Sequence, residues 1–207
     1  RTYDYNLQQL VSYARSFGDN NFDILLGHEY YDYRYYELGA SKSQMFSQGN
    51  KELDGAIIDG QGASSYKERR NNEGFFGRLQ YNYDERIFGS ASLRRDASSR
   101  FHPDHRWGTF WSLGFMYNVK STDWLKDMKW LSTAQIAVST GTSGNSEIPN
   151  YYHLALVSGG ANYDNTAGFY PSQSGNEELG WESTWANNFA LRLGFLDRIN
   201  FSFEAYY

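Results

Sequence analysis

Gly74-Phe75-Phe76-Gly77-Arg78-Leu79-Gln80-Tyr81-Asn82-Tyr83, then Asp84-Glu85-Arg86, then Ile87-Phe88-Gly89-Ser90-Ala91-Ser92-Leu93-Arg94, is the stretch that decides the fold. Phe75, Gly77, Leu79, Tyr81 and Tyr83 point one way, and Phe76, Arg78, Gln80 and Asn82 the other. Beyond the turn, Ile87, Gly89, Ala91 and Leu93 oppose Ser90, Ser92, Arg94 and Asp96. Strict alternation marks a half-buried strand, and two such runs across a short polar turn read as a hairpin. The second face carries Arg78 and Arg94 in mid-strand, and Arg192 stands in the same way further on. Guanidiniums are costly inside a narrow sandwich core and cheap on a wall that faces water.

The same alternation extends outward in both directions. It runs over Tyr3–Phe17, from Phe22 to about Glu37, over Thr109–Tyr117, through Ala134, Ile136 and Val138, over Thr184–Phe195, and from Ile199 to Ala205. The chain is therefore read as all-β, an antiparallel meander of about eight strands. Connections alternate in length. Those at 18–21, 84–86, 120–130 and 196–198 are short; 38–70, rich in Ser, Gly, Gln and Lys, 97–106, which is polar, and 141–180, rich in Gly, Ser and Asn, are long and read as loops. Ser121–Lys129 reads as one helical turn or two, with Ser121 as cap and Trp124, Leu125 and Met128 at helical spacing. A short strand is expected near Tyr151–Val157. Short turns at one end and long loops at the other are the layout of an outer-membrane barrel. Tyr81 and Tyr83 at one end, and Trp107 and Trp111 at the other, suit its aromatic girdles. Leu79, Leu93, Leu113, Phe115, Ile136, Val138, Leu191, Leu193, Phe201 and Phe203 are expected to face lipid.

Composition narrows the alternatives. The 207 residues include 18 Tyr, 14 Phe and 6 Trp, which excludes an ordinary disordered chain. There is no Cys, hence no disulfide scaffold and no thiolate metal site. A formal net charge of -5 speaks against a nucleic-acid binder. No window approaches the roughly 18 apolar residues of a membrane helix, which leaves strand-spanning proteins untouched. The chain opens on Arg1-Thr2-Tyr3 without Met or an apolar leader and ends within strand-like sequence, so a segment of a longer protein is expected.

Four ordered motifs carry a family resemblance: Gly74–Tyr83; Ser92–Phe101 with Arg106-Trp107-Gly108-Thr109-Phe110; Gly141-Thr142-Ser143-Gly144-Asn145; and Gly175–Glu182. Together they resemble the C-terminal barrel region of SusC-type TonB-dependent outer-membrane transporters. The first 70 residues match only in pattern. Ala97, His102, His105 and Trp111 depart from the family's usual residues, in a loop and at a strand start. The resemblance implies that residues 1–207 are part of a plugged barrel of about 22 strands, in the outer membrane of a Gram-negative cell. It implies a SusD-like surface lipoprotein as partner, and TonB acting through a plug and a TonB box that lie outside this sequence. The implied cargo is an oligosaccharide, less often a peptide.

Little catalytic chemistry is written in the chain. No nucleophile elbow, triad order or paired-carboxylate motif stands out, so no enzyme and no cofactor is expected. Gly141–Asn145 lacks the Lys-Ser/Thr and following helix of a phosphate loop. His102, Asp104 and His105 are spaced too loosely for a metal site, with no further His nearby in sequence. Arg94, Arg95, Asp96 and Arg100 read as an ion-pair network linking strand to loop, the alternative being an anion site. Tyr151, Tyr152, Tyr163, Phe169 and Tyr170 crowd the third long loop, where aromatic rings either stack on sugar faces or pack against a partner or a neighbouring loop. Tyr30, Tyr31, Tyr33, Tyr35 and Tyr36 raise the same question; because they alternate along a strand, girdle packing is expected for at least half of them. Two rival readings stand beside the importer. A complete eight-stranded adhesin or anchor requires the first strand to close on the last. A secreted carbohydrate-binding sandwich requires its apolar faces buried between two sheets.

Overall fold

The computed structural model describes residues 1–207 apart from 46, 50, 51 and 165, and apart from the side chains at 57–61, 161 and 163. Eight strands form one antiparallel sheet: β1 (Thr2–Phe17), β2 (Asn20–Met45), β3 (Ala56–Tyr83), β4 (Ile87–Ser98), β5 (Trp107–Asn118), β6 (Leu131–Asn145), then β9 (Glu182–Phe195) and β10 (Ile199–Tyr206). The intervening β7 (Leu156–Tyr163) and β8 (Thr166–Gln173) make a separate hairpin. The sheet does not close. β1 and β10 are its two edges, which removes the small closed barrel.

Register sorts the side chains. Tyr13, Ile24, Leu79, Ala91, Leu113 and Thr140 lie in line across six strands, as do Phe115, Val138 and Phe189 across three. Leu193 sits opposite both Ala134 and Phe201, and Leu191 opposite Ile136 and Phe203. All ten residues expected to face lipid thus share one face, because directly paired residues project to the same side. Apart from the turns at 119–130, which pack on Leu193, the described residues leave it open: Leu93 is 58% exposed and Phe203 51%. That removes the sandwich, whose core would hide them. The opposite face carries Arg78, Arg94 and Arg192 among Ser, Asn and Gln, and is the inner wall of a barrel. Arg78 is half-exposed there, with Asp23 at 3.9 Å. An ion pair in such a setting contributes little. Arg78→Ala in the full-length protein should therefore assemble as wild type does, read as an unchanged heat-modifiable band on detergent gels; loss of that band would place Arg78 in a packed core instead.

Short connections are tight turns. Asp84 and Glu85 have φ of 47° and 52°, and Leu196 and Asp197 both 54°. Arg86 N–H donates to the Tyr83 carbonyl at 2.8 Å, and Arg198 N–H to that of Phe195 at 3.0 Å. Two residues at positive φ give the turn whose twist matches antiparallel strands.

Three expectations need correction. Residues 38–70 are not a loop: β2 and β3 pair from Asn20↔Tyr83 to Met45↔Ala56. Beyond Tyr36↔Lys67 neither β1 nor β4 flanks them, so the hairpin continues as a free ribbon. Residues 141–180 likewise contain the β7–β8 hairpin, with Tyr151–Leu154 as a turn rather than a strand. The expected helix at 121–129 is a 3-10 turn, Val119–Ser121, followed by further turns. There Lys120 Nζ donates to the carbonyls of Leu125, Lys126 and Met128 at 2.7–2.9 Å, taking up oxygens a helix would bond. Leu125 and Met128 still pack on the sheet, against Leu131, Ala134 and Leu193 on its apolar face, while Trp124 is exposed.

Candidate functional site

The long connections all leave the sheet at one end, and there two of them interlock. Arg100, its side chain only 11% exposed, donates from Nη1 to the Ser146 carbonyl at 2.8 Å and from Nε to Asn150 Oδ1 at 3.3 Å, with Glu147 at 3.2 Å. The His153 ring donates from Nδ1 to the Arg100 carbonyl, 3.1 Å away. Phe101 is fully buried, its ring 5.5 Å from that of Trp181. Trp181 in turn lies 5.3 Å from Phe110 and donates from Nε1 to the Arg106 carbonyl at 2.7 Å. Gly108 makes room for this: a Cβ there would stand 2.6 Å from the Phe110 ring and 2.9 Å from Trp181.

The interlocked loops are tied to β3. Asn71 N–H donates to Ser99 Oγ at 2.8 Å, and Ser99 N–H to the Asn71 carbonyl at 2.9 Å. Asn150 donates to Glu68, and the Tyr151 hydroxyl accepts from Arg69 N–H at 3.1 Å. On the inner wall below, Glu29, Tyr31, Asn72, Gly74, Arg94 and Trp181 line a cavity of about 240 Å³. Arg94 spans it, 2.7 Å from Asp96 and 3.2 Å from Glu29. Just above, the Arg70 guanidinium lies 4.9 Å over the Tyr33 ring and 5.8 Å from that of Tyr31. The wall offers acceptors, donors and ring faces, which suits a hydroxyl- or amide-rich solute passing by.

The residues singled out from sequence fare differently. Tyr151 is half-buried, at φ 68°, engaged with Arg69 and tied through Gln173 Nε2, which donates to the Tyr151 and Leu154 carbonyls at 2.9 and 2.8 Å. Tyr152, Phe169 and Tyr170 are exposed. Phe169 and Tyr170 are consecutive in β8 and so project to opposite faces of their hairpin. The Tyr163 side chain lies outside the described residues. The four described side chains do not all project to one face. Arg94, Arg95, Asp96 and Arg100 also separate: Arg94 and Asp96 pair on the inner wall, Arg95 stacks over Trp107 at 5.3 Å, and Arg100 goes to the loops. His102 does have a histidine neighbour, His153, with ring centroids 6.2 Å apart. Of the strand tyrosines, Tyr30 and Tyr36 face out and Tyr31, Tyr33 and Tyr35 face in. Trp181, Phe101 and Arg70 were not singled out individually; Trp181 and Phe101 are marked only by their place in the four ordered motifs.

An open antiparallel wall, apolar outside, polar inside, with its long connections gathered at one end, is a piece of a large membrane barrel. The chain belongs to the TonB dependent receptor-like β-barrel family, whose model matches residues 1–207. It is 33% identical to the TonB-dependent receptor SusC of Bacteroides thetaiotaomicron over 215 residues, covering 99% of this chain and 21% of that protein. It is 32% identical to the TonB-dependent receptor P39 of Formosa agariphila over 132 residues, 63% of this chain and 13% of that one. Among solved structures, the RagAB peptide transporter superimposes with a TM-score of 0.89 at 30% identity, over 99% of this chain and 23% of the other. The chain thus spans about a fifth of the length of SusC and of that RagAB chain.

Proposed function

We propose that these residues form part of the wall of an outer-membrane TonB-dependent importer that takes up oligosaccharides together with a SusD-like surface lipoprotein. The observation that carries this is the sidedness of the open sheet. Its exposed edges and apolar face are liabilities for a free protein and are relieved by further strands and by lipid. The long-loop end is then the extracellular mouth, where the lipoprotein closes over the cargo, and TonB acts through parts beyond this segment. Passage is by binding and release, with no covalent step. Tyr152, Tyr163, Phe169 and Tyr170 are proposed as ring surfaces met by cargo or partner at the mouth, and Tyr151 as the residue that anchors their hairpin.

The likeness to the RagAB peptide transporter favours a second reading, in which the cargo is a peptide. Deleting the gene in its host and following depletion of oligosaccharide and peptide mixtures from the medium separates the two. Loss of oligosaccharide uptake, with a SusD-like lipoprotein co-purifying with the tagged full-length protein, is the expected result. Loss of peptide uptake instead would select the second reading, and unchanged uptake of both would sink the importer.

A further inference from the structure

Arg70 differs from the other guanidiniums of the inner wall. Arg78, Arg94 and Arg192 each have an acid beside them, at 3.9, 2.7 and 3.7 Å. Among the described residues Arg70 has no ion pair and no hydrogen-bond acceptor, and its Nε is sealed from water without a partner. A cationic donor that has given up water normally gains an acceptor in exchange. The acids of the wall are engaged elsewhere. Glu29 and Asp96 hold Arg94. Glu37 accepts from the Tyr35 hydroxyl at 2.5 Å, and Glu68 from Asn150. Asp4 lies in line with Arg70 but a strand away, beyond Tyr33.

Aromatic rings hold Arg70 instead. Its guanidinium lies 4.9 Å over the Tyr33 ring and 5.8 Å from that of Tyr31, both half-buried on the inner face of β2. Ring faces orient a cation without neutralising it. The charge and the planar donor fork therefore remain available to an oxyanion that approaches from the lumen.

Position then selects the partner. β3 pairs with β4 only from Asn72 downward, so Arg70 stands at the top of the wall. Beside it are the loops fastened at Glu68, Arg69 and Asn71. Below it, about 13 Å along β3 at roughly 3.3 Å per residue, Gly74 floors the inner-wall cavity that Tyr31 and Asn72 also line. A solute entering from the long-loop end thus meets Arg70 first and the cavity next, with Tyr31 common to both. Arg70 lies outside the four ordered motifs, among residues that resemble the family in pattern alone.

We propose that Arg70, seated on Tyr31 and Tyr33, is an anion subsite at the mouth that selects cargo bearing a carboxylate or sulfate, which for an oligosaccharide means uronate or sulfated sugars. The proposal rests on the importer reading. The test uses the full-length transporter with its lipoprotein, purified in mild detergent. It is incubated separately with short uronate-bearing and sulfated oligosaccharides, with the same sugars after methyl esterification or desulfation, and with acidic peptides. Retained species are measured by native mass spectrometry. Wild type should retain the acidic sugars roughly tenfold or more better than their neutralised forms. Arg70→Gln should abolish that preference with its heat-modifiable band intact, and Arg70→Lys, which keeps the charge, should restore part of it. Arg70-dependent retention of acidic peptides alone would support the subsite and overturn the oligosaccharide reading. Equal retention of acidic and neutralised sugars by wild type, or an unchanged preference in Arg70→Gln, would overturn the subsite and leave the importer standing. Retention of none of these solutes by wild type would overturn it too, and the uptake assay on the deletion strain then decides the importer reading separately.

Discussion

Leu193→Arg in the full-length protein should fail to assemble in the membrane, while Arg192→Ala, one residue away, should assemble normally. Leu193 stands on the outer face opposite Ala134 and Phe201 and packs on the Leu125, Leu131 and Ala134 cluster. A guanidinium there either enters hydrocarbon or splits the apolar cluster. A charge on this face costs up to about 2–4 kcal/mol at the midplane and less toward the turns; at Leu193 the split cluster adds to that cost, and together they are a large share of a typical domain's net stability. Arg192 projects inward instead, half-exposed, with Glu204 at 3.7 Å. A pulse-labelled assembly assay with surface protease protection reads both variants. Leu113→Arg serves as a second probe, on the same face but away from the cluster. Normal assembly of both leucine variants would mean that this face does not meet lipid.

That contrast between neighbours was readable before any coordinates, because a strand with one dry face must alternate. Leu191, Arg192 and Leu193 carry the signal by themselves. The ribbon beyond Tyr36 carries none. Leu38, Gly39, Ala40 and Ser41 lie opposite Ser65, Ser64, Ala63 and Gly62 with no further strand beside them, so no dry face selects for alternation. Gly62 even takes a φ of 93° beside the register shift at Ser41/Lys42, a conformation that suits a bulge and breaks the pattern further. The same holds for β7 and β8. The interlocked loops were hidden for a different reason. Arg100 meets Asn150 fifty positions away, and Trp181 meets Arg106 across seventy-five. Local spacing has no access to such pairs. Phe101 and Trp181 stand out only through family motifs, whose physical content is this packing; Arg100 also belongs to the expected strand-to-loop ion pairs, and Asn150 to neither.

Phe101→Ala tests that content. Phe101 is wholly enclosed, and its ring meets Trp181, which holds Phe110 and the Arg106 carbonyl. Removing a buried Phe costs about 3–5 kcal/mol when the cavity cannot collapse. Here the neighbouring Trp181 is itself held by Phe110 and the Arg106 carbonyl, which leaves it little freedom to close in. The loss should stay local, because the barrel ladder and the apolar face do not depend on Phe101. Loops 99–106 and 146–155 should then open at least roughly 100-fold more often, by the conversion of about 1.4 kcal/mol per tenfold. Amide exchange at Ser98, Ser99 and Phe101 should accelerate by that factor, and limited proteolysis should cut near residue 150 in the assembled protein. If the mouth works as proposed, cargo capture weakens while assembly is unchanged, since the hairpin bearing Phe169 and Tyr170 loses its footing through Tyr151. Unchanged exchange with full protease protection would show that the loops are held from elsewhere and that the Phe101–Trp181 contact is incidental. Loss of assembly would instead make the loop cluster part of the barrel's folding unit rather than a cap seated on it.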